Sequence, residues 1–269
     1  MANRFHQLFK TARPLLGMLH LPPLPGSPHY AGKMQDIIDA ALHDAQILSE
    51  AGFAGLIIEN LGDAPYYPDH VPAETVAAMS VVAAHVRQQT KLPVGVNVLR
   101  NDAQSAIAIA AAAGLQFTRV NILIGTSVTD QGIISGQAHL VARMRQRLRA
   151  DNVLIFADIR VKHAAPLVDR ELAQEIDDLF ERALADAIIV SGTGSGKPVD
   201  ANFLREVKKF SGDRPVLIGS GLNLENAKEL LAVADGAIVG SSIKVEGKIH
   251  NRVDRESTQQ LLKIRVNRI

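Results

Sequence analysis

PVLIGSGLNLENAKELLAVADGAIVGSSIK, residues 215–244, contains two copies of one pattern. An apolar run, VLI, ends in Gly-Ser-Gly. A segment with helical spacing follows, and a second apolar run, AIV, ends in Gly-Ser-Ser. Continuous apolar runs of this length describe parallel strands covered on both faces. Glycine directly after such a strand lets backbone approach a ligand or turn sharply. The intervening stretch reads as a helix over 224–232, with Asn223 placed to cap it.

The same unit recurs through the chain. Apolar runs predict strands at 15–21, 55–60, 94–99, 117–123, 153–160, 186–191, 215–220 and 236–241. Helical spacing predicts helices at 34–51, 75–89, 103–113, 137–150, 167–185, 202–210 and 224–232, with Asp200 as the cap of the sixth. Strict alternation implies a parallel sheet, and eight units favour closure into an α/β (β/α)8 TIM barrel of the phosphate-binding kind. No linker composition interrupts the pattern, so one domain is expected over 1–269. The longer connections, 22–28, 61–72, 124–136 and 192–199, all follow strands, which places them over the C-terminal mouth where barrels keep their function.

Composition narrows the function. The chain has 269 residues, formal net charge +1, 4% aromatic residues and no Trp. That is no basis for nucleic-acid binding, which needs a concentrated basic face or stacking platforms. The alternating Arg143, Arg145, Arg147 and Arg149 read as a solvated helix C-terminus. With no Cys, disulfides and thiolate chemistry are excluded. No stretch has the length and apolarity of a signal peptide or membrane helix, so a cytoplasmic protein without an integral membrane segment is expected. Barrels of this size often associate, and a homo-oligomer is compatible with the sequence.

Two groups of residues could carry chemistry. The first is an anion cradle at the ends of the seventh and eighth strands: Gly219, Ser220, Gly221, Gly240 and Ser241. Barrels often hold phosphate there on backbone N–H groups. Ser191, Thr193 and Lys197, in SGTGSGKPVD, are further candidate contacts. That segment is not a P-loop: the position five before Gly196 is Ser191 rather than Gly, and Pro198 follows Lys197 where a hydroxyl is required. The second group comprises polar side chains within or just after apolar strands: His20, Glu59, Asn97, Asn121, Asp158 and Lys162. A lone polar group there costs free energy unless it is paired. Glu59 or Asp158 can serve as general base. Lys162 can stabilise an oxyanion or pair with Asp158. The alternative for these six is a polar network plugging the barrel top. No metal site is assigned, and no cofactor can be named. In the loop over 61–72, Tyr66 and Tyr67 either face a substrate or cover the rim.

GMLHLPPLPGSP (17–28), VPAETVAAM (71–79), VGVNVLRND (94–102), FADIRVKHA (156–164), SGTGSGKP (191–198) and DGAIVGSSIKVEGK (235–248) resemble the BtpA/SgcQ family over essentially the whole chain. The resemblance implies a TIM barrel of the phosphate-binding kind. Cyanobacterial members are linked to photosystem I biogenesis as extrinsic membrane-associated factors, and an enteric member sits among sugar-metabolism genes. Some members carry a nucleotide-hydrolase label. The resemblance brings no catalytic residues with it. Three functions therefore stand: an enzyme acting on a small phosphorylated metabolite by proton-transfer, aldol or lyase-type chemistry; a non-catalytic assembly factor; and a metal-dependent nucleotide hydrolase.

Overall fold

A computed structural model describes residues 3–192, 194 and 196–266. Its strands are β1 (Leu15–His20), β2 (Gly55–Glu59), β3 (Val94–Asn97), β4 (Phe117–Val120), β5 (Thr126–Thr129), β6 (Gly132–Ser135), β7 (Leu154–Ile159), β8 (Ala164–Pro166), β9 (Ala187–Val190), β10 (Val216–Ile218) and β11 (Gly236–Val239). Eight of them close into a parallel barrel in the order β1-β11-β10-β9-β7-β4-β3-β2. These are the eight strands expected from the apolar runs.

The helices are α1 (Arg4–Leu8), α2 (Met34–Ala51), α3 (Ala73–Gln89), α4 (Ala103–Ala113), α5 (Ala138–Arg147), α6 (Leu172–Asp177), α7 (Ala201–Ser211), α8 (Ala227–Val233) and α9 (Arg255–Val266). Asp200 caps α7 by accepting from the N–H groups of Asn202 and Phe203. Asn223 accepts from the N–H groups of Glu225 and Asn226, but it caps only a turn, and α8 begins three residues later than the spacing suggested. The long helix expected over 167–185 is a six-residue α6 followed by a π turn over Asp178–Arg182.

Alternate side chains on each barrel strand face inward or outward. The outward set, including Leu15, Ile58, Val96, Ile155, Val190 and Val239, packs under the helices. The inward set builds a separate core: Leu16, Met18, Ile57, Phe117, Leu154, Phe156, Ala187, Ile189, Leu217 and Ile238. Helix α1 closes the N-terminal end of this core, where Phe5 and Phe9 pack on Phe156 and Phe117 with ring centroids 5.7 and 5.8 Å apart. The space that Phe117 fills exists because position 95 lacks a Cβ, which would lie 2.2 Å from the ring.

The connection over 124–136 is not an irregular loop. It forms the antiparallel hairpin β5–β6, and β8 joins it as a third strand. At the other end of the chain, Lys244 is buried beneath α2, with Nζ donating to Asp44 Oδ2 at 2.8 Å. Asp44 also accepts from the Val253 N–H at 3.0 Å, so this one carboxylate anchors the segment after β11. Among the described residues, no helix is long and apolar enough to cross a membrane.

Candidate active site at the barrel mouth

The inward register explains why the polar residues gather. Leu16 and Met18 are core, and the next inward position on β1 is His20. Ile57 is followed by Glu59, Gly95 by Asn97, Phe156 by Asp158, Ile189 by Ser191, Leu217 by Gly219 and Ile238 by Gly240. Phe117 is followed by Arg119 and then Asn121. The strand register pairs His20 with Glu59 and Glu59 with Asn97, so these three share one layer at the C-terminal end.

Part of this layer is a closed network. Arg119 donates from Nε and Nη2 to the two oxygens of Asp158 at 3.1 and 3.0 Å. Asn121 Nδ2 donates to Asp158 Oδ2 at 2.7 Å, and Asn97 Nδ2 donates to Asn121 Oδ1 at 3.1 Å. Ser191 Oγ stands 3.4 Å from both Asp158 and Arg119. The Asp158 side chain has 0% exposure. Two expectations are corrected here. Asp158, with both oxygens engaged and no accessible surface, is not placed to take a substrate proton, and its partner is Arg119 rather than Lys162. Nor do Asp158, Arg160 and Lys162 share one face, where simple strand alternation would place them. β7 stops at Ile159, Arg160 turns outward with φ 47° to pair with Glu175, and Lys162 returns to the mouth through a turn.

Glu59, Arg119 and Lys162 form the wall between two compartments. One, a narrow recess, is lined by Met18, His20, Gly219, Gly221, Gly240 and Ser241, among others. The other, of about 600 Å³, is lined by Tyr66, Arg100, Asn121, Asp130 and His163. Tyr66 donates to the Leu61 carbonyl at 2.8 Å, and Asp130 comes from the turn of the β5–β6 hairpin. A wider cleft of about 850 Å³ lies against β5 and α6, but its Arg160 and Arg170 are already paired with Glu175 and Asp178.

Burial sets the protonation of the wall. It pushes the Glu59 carboxyl above its ordinary 4.5, opposed by the charges of Arg119 and Lys162. It holds the His20 imidazole well below 6.5, helped by Lys244 and Lys162. It lowers the Lys162 ammonium, as does Arg119. His20 is therefore neutral at physiological pH, and its Nε2 lies 3.7 Å from Glu59 Oε1. A carboxyl with a raised pKa beside a desolvated ammonium is an arrangement suited to proton transfer next to a developing anion. His20 and Glu59 do not gather a third ligand: among the described residues, no group of three His, Asp or Glu side chains is placed to hold a metal ion.

The glycine ends are placed at the first compartment. Among the described residues, the backbone N–H groups of Ser220, Gly221, Gly240 and Ser241 have no acceptor, whereas that of Gly219 is used by the Val190 carbonyl at 2.7 Å. The helix N-terminus expected to assist them is weak, because α8 has seven residues and β11 runs into a single 3-10 turn at Ser241–Ile243. Gly221 also has a packing role: its φ is +72°, and a Cβ would lie 2.1 Å from the Lys197 carbonyl oxygen. Gly240 differs in having a negative φ, −120°, but a built Cβ would already lie 3.1 Å from His20 Cε1, a tight contact. Lys197 is exposed, and Thr193 lies outside the described residues.

Neither Arg100 nor Arg119 was among the candidate site residues taken from the sequence. The signal for Arg119 was a charged residue inside the apolar run FTRVNIL. Nothing local marked Arg100, which lies beyond β3.

The profile of the BtpA family matches residues 11–267. An uncharacterized protein of Thermococcus kodakarensis is 47% identical over 94% of this chain and 95% of its own length. The photosystem I biogenesis protein BtpA of Synechocystis is 42% identical over 92% of this chain and 86% of its own. Among solved structures, thiamine phosphate pyrophosphorylase from Pyrococcus furiosus superposes with a TM-score of 0.58 at 16% identity, covering 93% of this chain and 94% of its own; at that identity the likeness is one of fold. The barrel, its mouth and the sequence match agree: the chain belongs to the BtpA family.

Proposed function

We propose that the chain works as one barrel domain and is an enzyme acting on a small phosphorylated metabolite. The phosphate sits on the amides of Ser220, Gly221, Gly240 and Ser241, and the reacting carbons lie over Glu59 and Lys162. Glu59 moves a proton and Lys162 stabilises the negative charge that develops, as an aldol, lyase or isomerase step requires. The observation that carries this reading is the set of four backbone N–H groups without acceptors among the described residues, at the ends of adjacent strands, on residues that line one cavity. The phosphate ester in the name of the fold neighbour from Pyrococcus is consistent with it.

The test is a thermal-shift screen with inorganic phosphate, sugar phosphates and nucleotides, each with and without magnesium. A bound ligand raises stability by mass action, about 2.7 kcal/mol at a hundredfold excess over Kd. The informative variant is Gly240→Val, which crowds the first compartment against His20 without a positive φ, with the ligand-free melting temperature as the check that it folds; Gly221 substitutions would damage packing whatever they did to binding. A shift from a sugar phosphate that Gly240→Val removes supports the reading. A shift only from nucleotides with magnesium replaces it with the hydrolase.

A second reading rests on the 42% identity to the Synechocystis biogenesis protein: a non-catalytic assembly factor. It predicts that complementation of a deletion strain survives Glu59→Gln and Gly240→Val.

A further inference from the structure

The mouth contains a buried cation for which the described residues supply no carboxylate within ion-pair distance. Three Lys or Arg residues are buried among the described residues: Lys244 at 1% exposure, Arg119 at 3% and Arg100 at 5%. Lys244 is paired with Asp44 and Arg119 with Asp158. Arg100 has no such partner. Its Nη2 donates to the Lys162 carbonyl at 2.7 Å, its Nε has no acceptor, and no described carboxylate lies within the 4.0 Å ion-pair distance. The acids that act on it from further away are Asp158, already taken by Arg119, Asp130 on the hairpin turn and, more weakly, Glu59. A guanidinium does not escape burial by losing its proton. A buried charge left unpaired costs several kcal/mol, so it is kept where something outside the chain pairs with it.

The backbone that carries Arg100 is held in place. The backbone on either side of it is clamped: the Leu99 N–H donates to Asn60 Oδ1 at 2.7 Å, and Asn101 bonds both the N–H and the carbonyl of Ile122. The Arg100 N–H itself donates to the Tyr67 carbonyl at 3.0 Å. From this fixed backbone the side chain lines the second compartment together with Tyr66, Lys162 and His163.

We propose that Arg100 is a second anion subsite, and that the ligand carries two acidic groups: a phosphate on the glycine amides and a carboxylate or second phosphate on Arg100, with Glu59 and Lys162 between them. This rests on the phosphate reading above. It narrows the substrate class to phosphorylated acids or bisphosphates. It also predicts that matched neutral-ended phosphates bind more weakly, because they leave Arg100 unpaired.

Calorimetric titration tests this with matched pairs of differing length: 3-phosphoglycerate against glycerol 3-phosphate, 4-phosphoerythronate against erythritol 4-phosphate, and fructose 1,6-bisphosphate against fructose 6-phosphate. At least one diacid should bind about 10–100-fold more tightly than its partner, the range expected of charge-assisted hydrogen bonds. The identity of the preferred pair tells carboxylate from phosphate. Arg100→Gln should bring that ratio near one and leave the mono-anion within about threefold. If the mono-anions bind and no diacid is preferred, the second subsite is wrong and the phosphate reading stands. If no phosphate compound binds, both fail. The ligand-free protein offers an independent readout: Arg100→Met should melt at or above the wild-type temperature, because it removes an unpaired charge. A fall of about 5 °C or more, with the diacid preference of Arg100→Gln unchanged, would make Arg100 a structural residue and overturn the proposal.

Discussion

Replacing Asp158 by Leu tests whether the polar layer at the mouth is a structural network. The change removes both acceptors of the Arg119 guanidinium, at 3.0 and 3.1 Å, and strands that cation at 3% exposure. It also orphans Asn121 Nδ2, which donates to the same carboxylate. Removing one partner of a buried pair costs about 3–5 kcal/mol. Glu59 acts on Arg119 from a distance and offsets some of that, which favours the lower half of the range. For a chain of this size each kcal/mol corresponds to roughly 2–4 °C, so melting should fall by about 6–20 °C. Arg119→Met combined with Asp158→Leu removes both charges and keeps the volume filled. The double variant should recover most of the loss, with a coupling energy of about 2 kcal/mol or more. Urea unfolding followed by circular dichroism on the wild type, both singles and the double measures all four corners of the cycle. If Asp158→Leu costs less than about 1 kcal/mol, or the two single losses simply add, the pair is not the keystone described here.

Four further outcomes follow from the same geometry. Glu59 has a raised pKa in the native state, so the native protein holds that proton more tightly than the unfolded chain and loses stability as pH rises from 4.5 through the folded value. Glu59→Gln should therefore be more stable than wild type at neutral pH, with the gap closing as pH falls below 4.5 in urea titrations. His20 has a lowered pKa, so below 6.5 the unfolded chain takes up a proton that the native state refuses. Wild type should lose up to about 1.4 kcal/mol per pH unit in that window from this group, and His20→Gln should lack that component of the slope. Phe5→Ala removes the ring that closes the N-terminal end of the inner core and should cost about 3–5 kcal/mol by chemical denaturation. Gly221→Ala places a Cβ 2.1 Å from the Lys197 carbonyl oxygen at φ +72°, and should cost more than about 1 kcal/mol and speed amide exchange in residues 196–200; unchanged exchange there would separate Gly221 from that loop.

Much of the fold was legible because parallel strands covered on both faces must be continuously apolar, and eight such runs alternate with amphipathic segments. The same property exposed the candidate site. A polar residue in such a strand conflicts with its surroundings, and His20, Glu59, Asn97, Asp158 and Arg119 all lie inside or at the end of an apolar run. What the run could not reveal was their division of labour. Asp158 and Glu59 look alike in sequence, but one meets Arg119 on the adjacent strand and the other faces the cavity, and that depends on which strands become neighbours. Elements with little periodicity were missed for a related reason. α1 is five residues long and is stabilised by what its phenylalanines touch. The β5–β6–β8 sheet is short and largely polar, and its third strand joins from beyond β7.

By itself, the sequence determined the class of the protein: barrel closure and the collection of polar groups at one end follow from continuous apolar runs, broken by polar residues near their C-terminal ends, alternating eight times with amphipathic segments. The tertiary structure alone decided which charges are paired. Arg100 stands in a loop with no local mark of function, and its meaning comes from residues distant in sequence that clamp it, bury it and provide no carboxylate, a condition of three-dimensional space that no local pattern encodes.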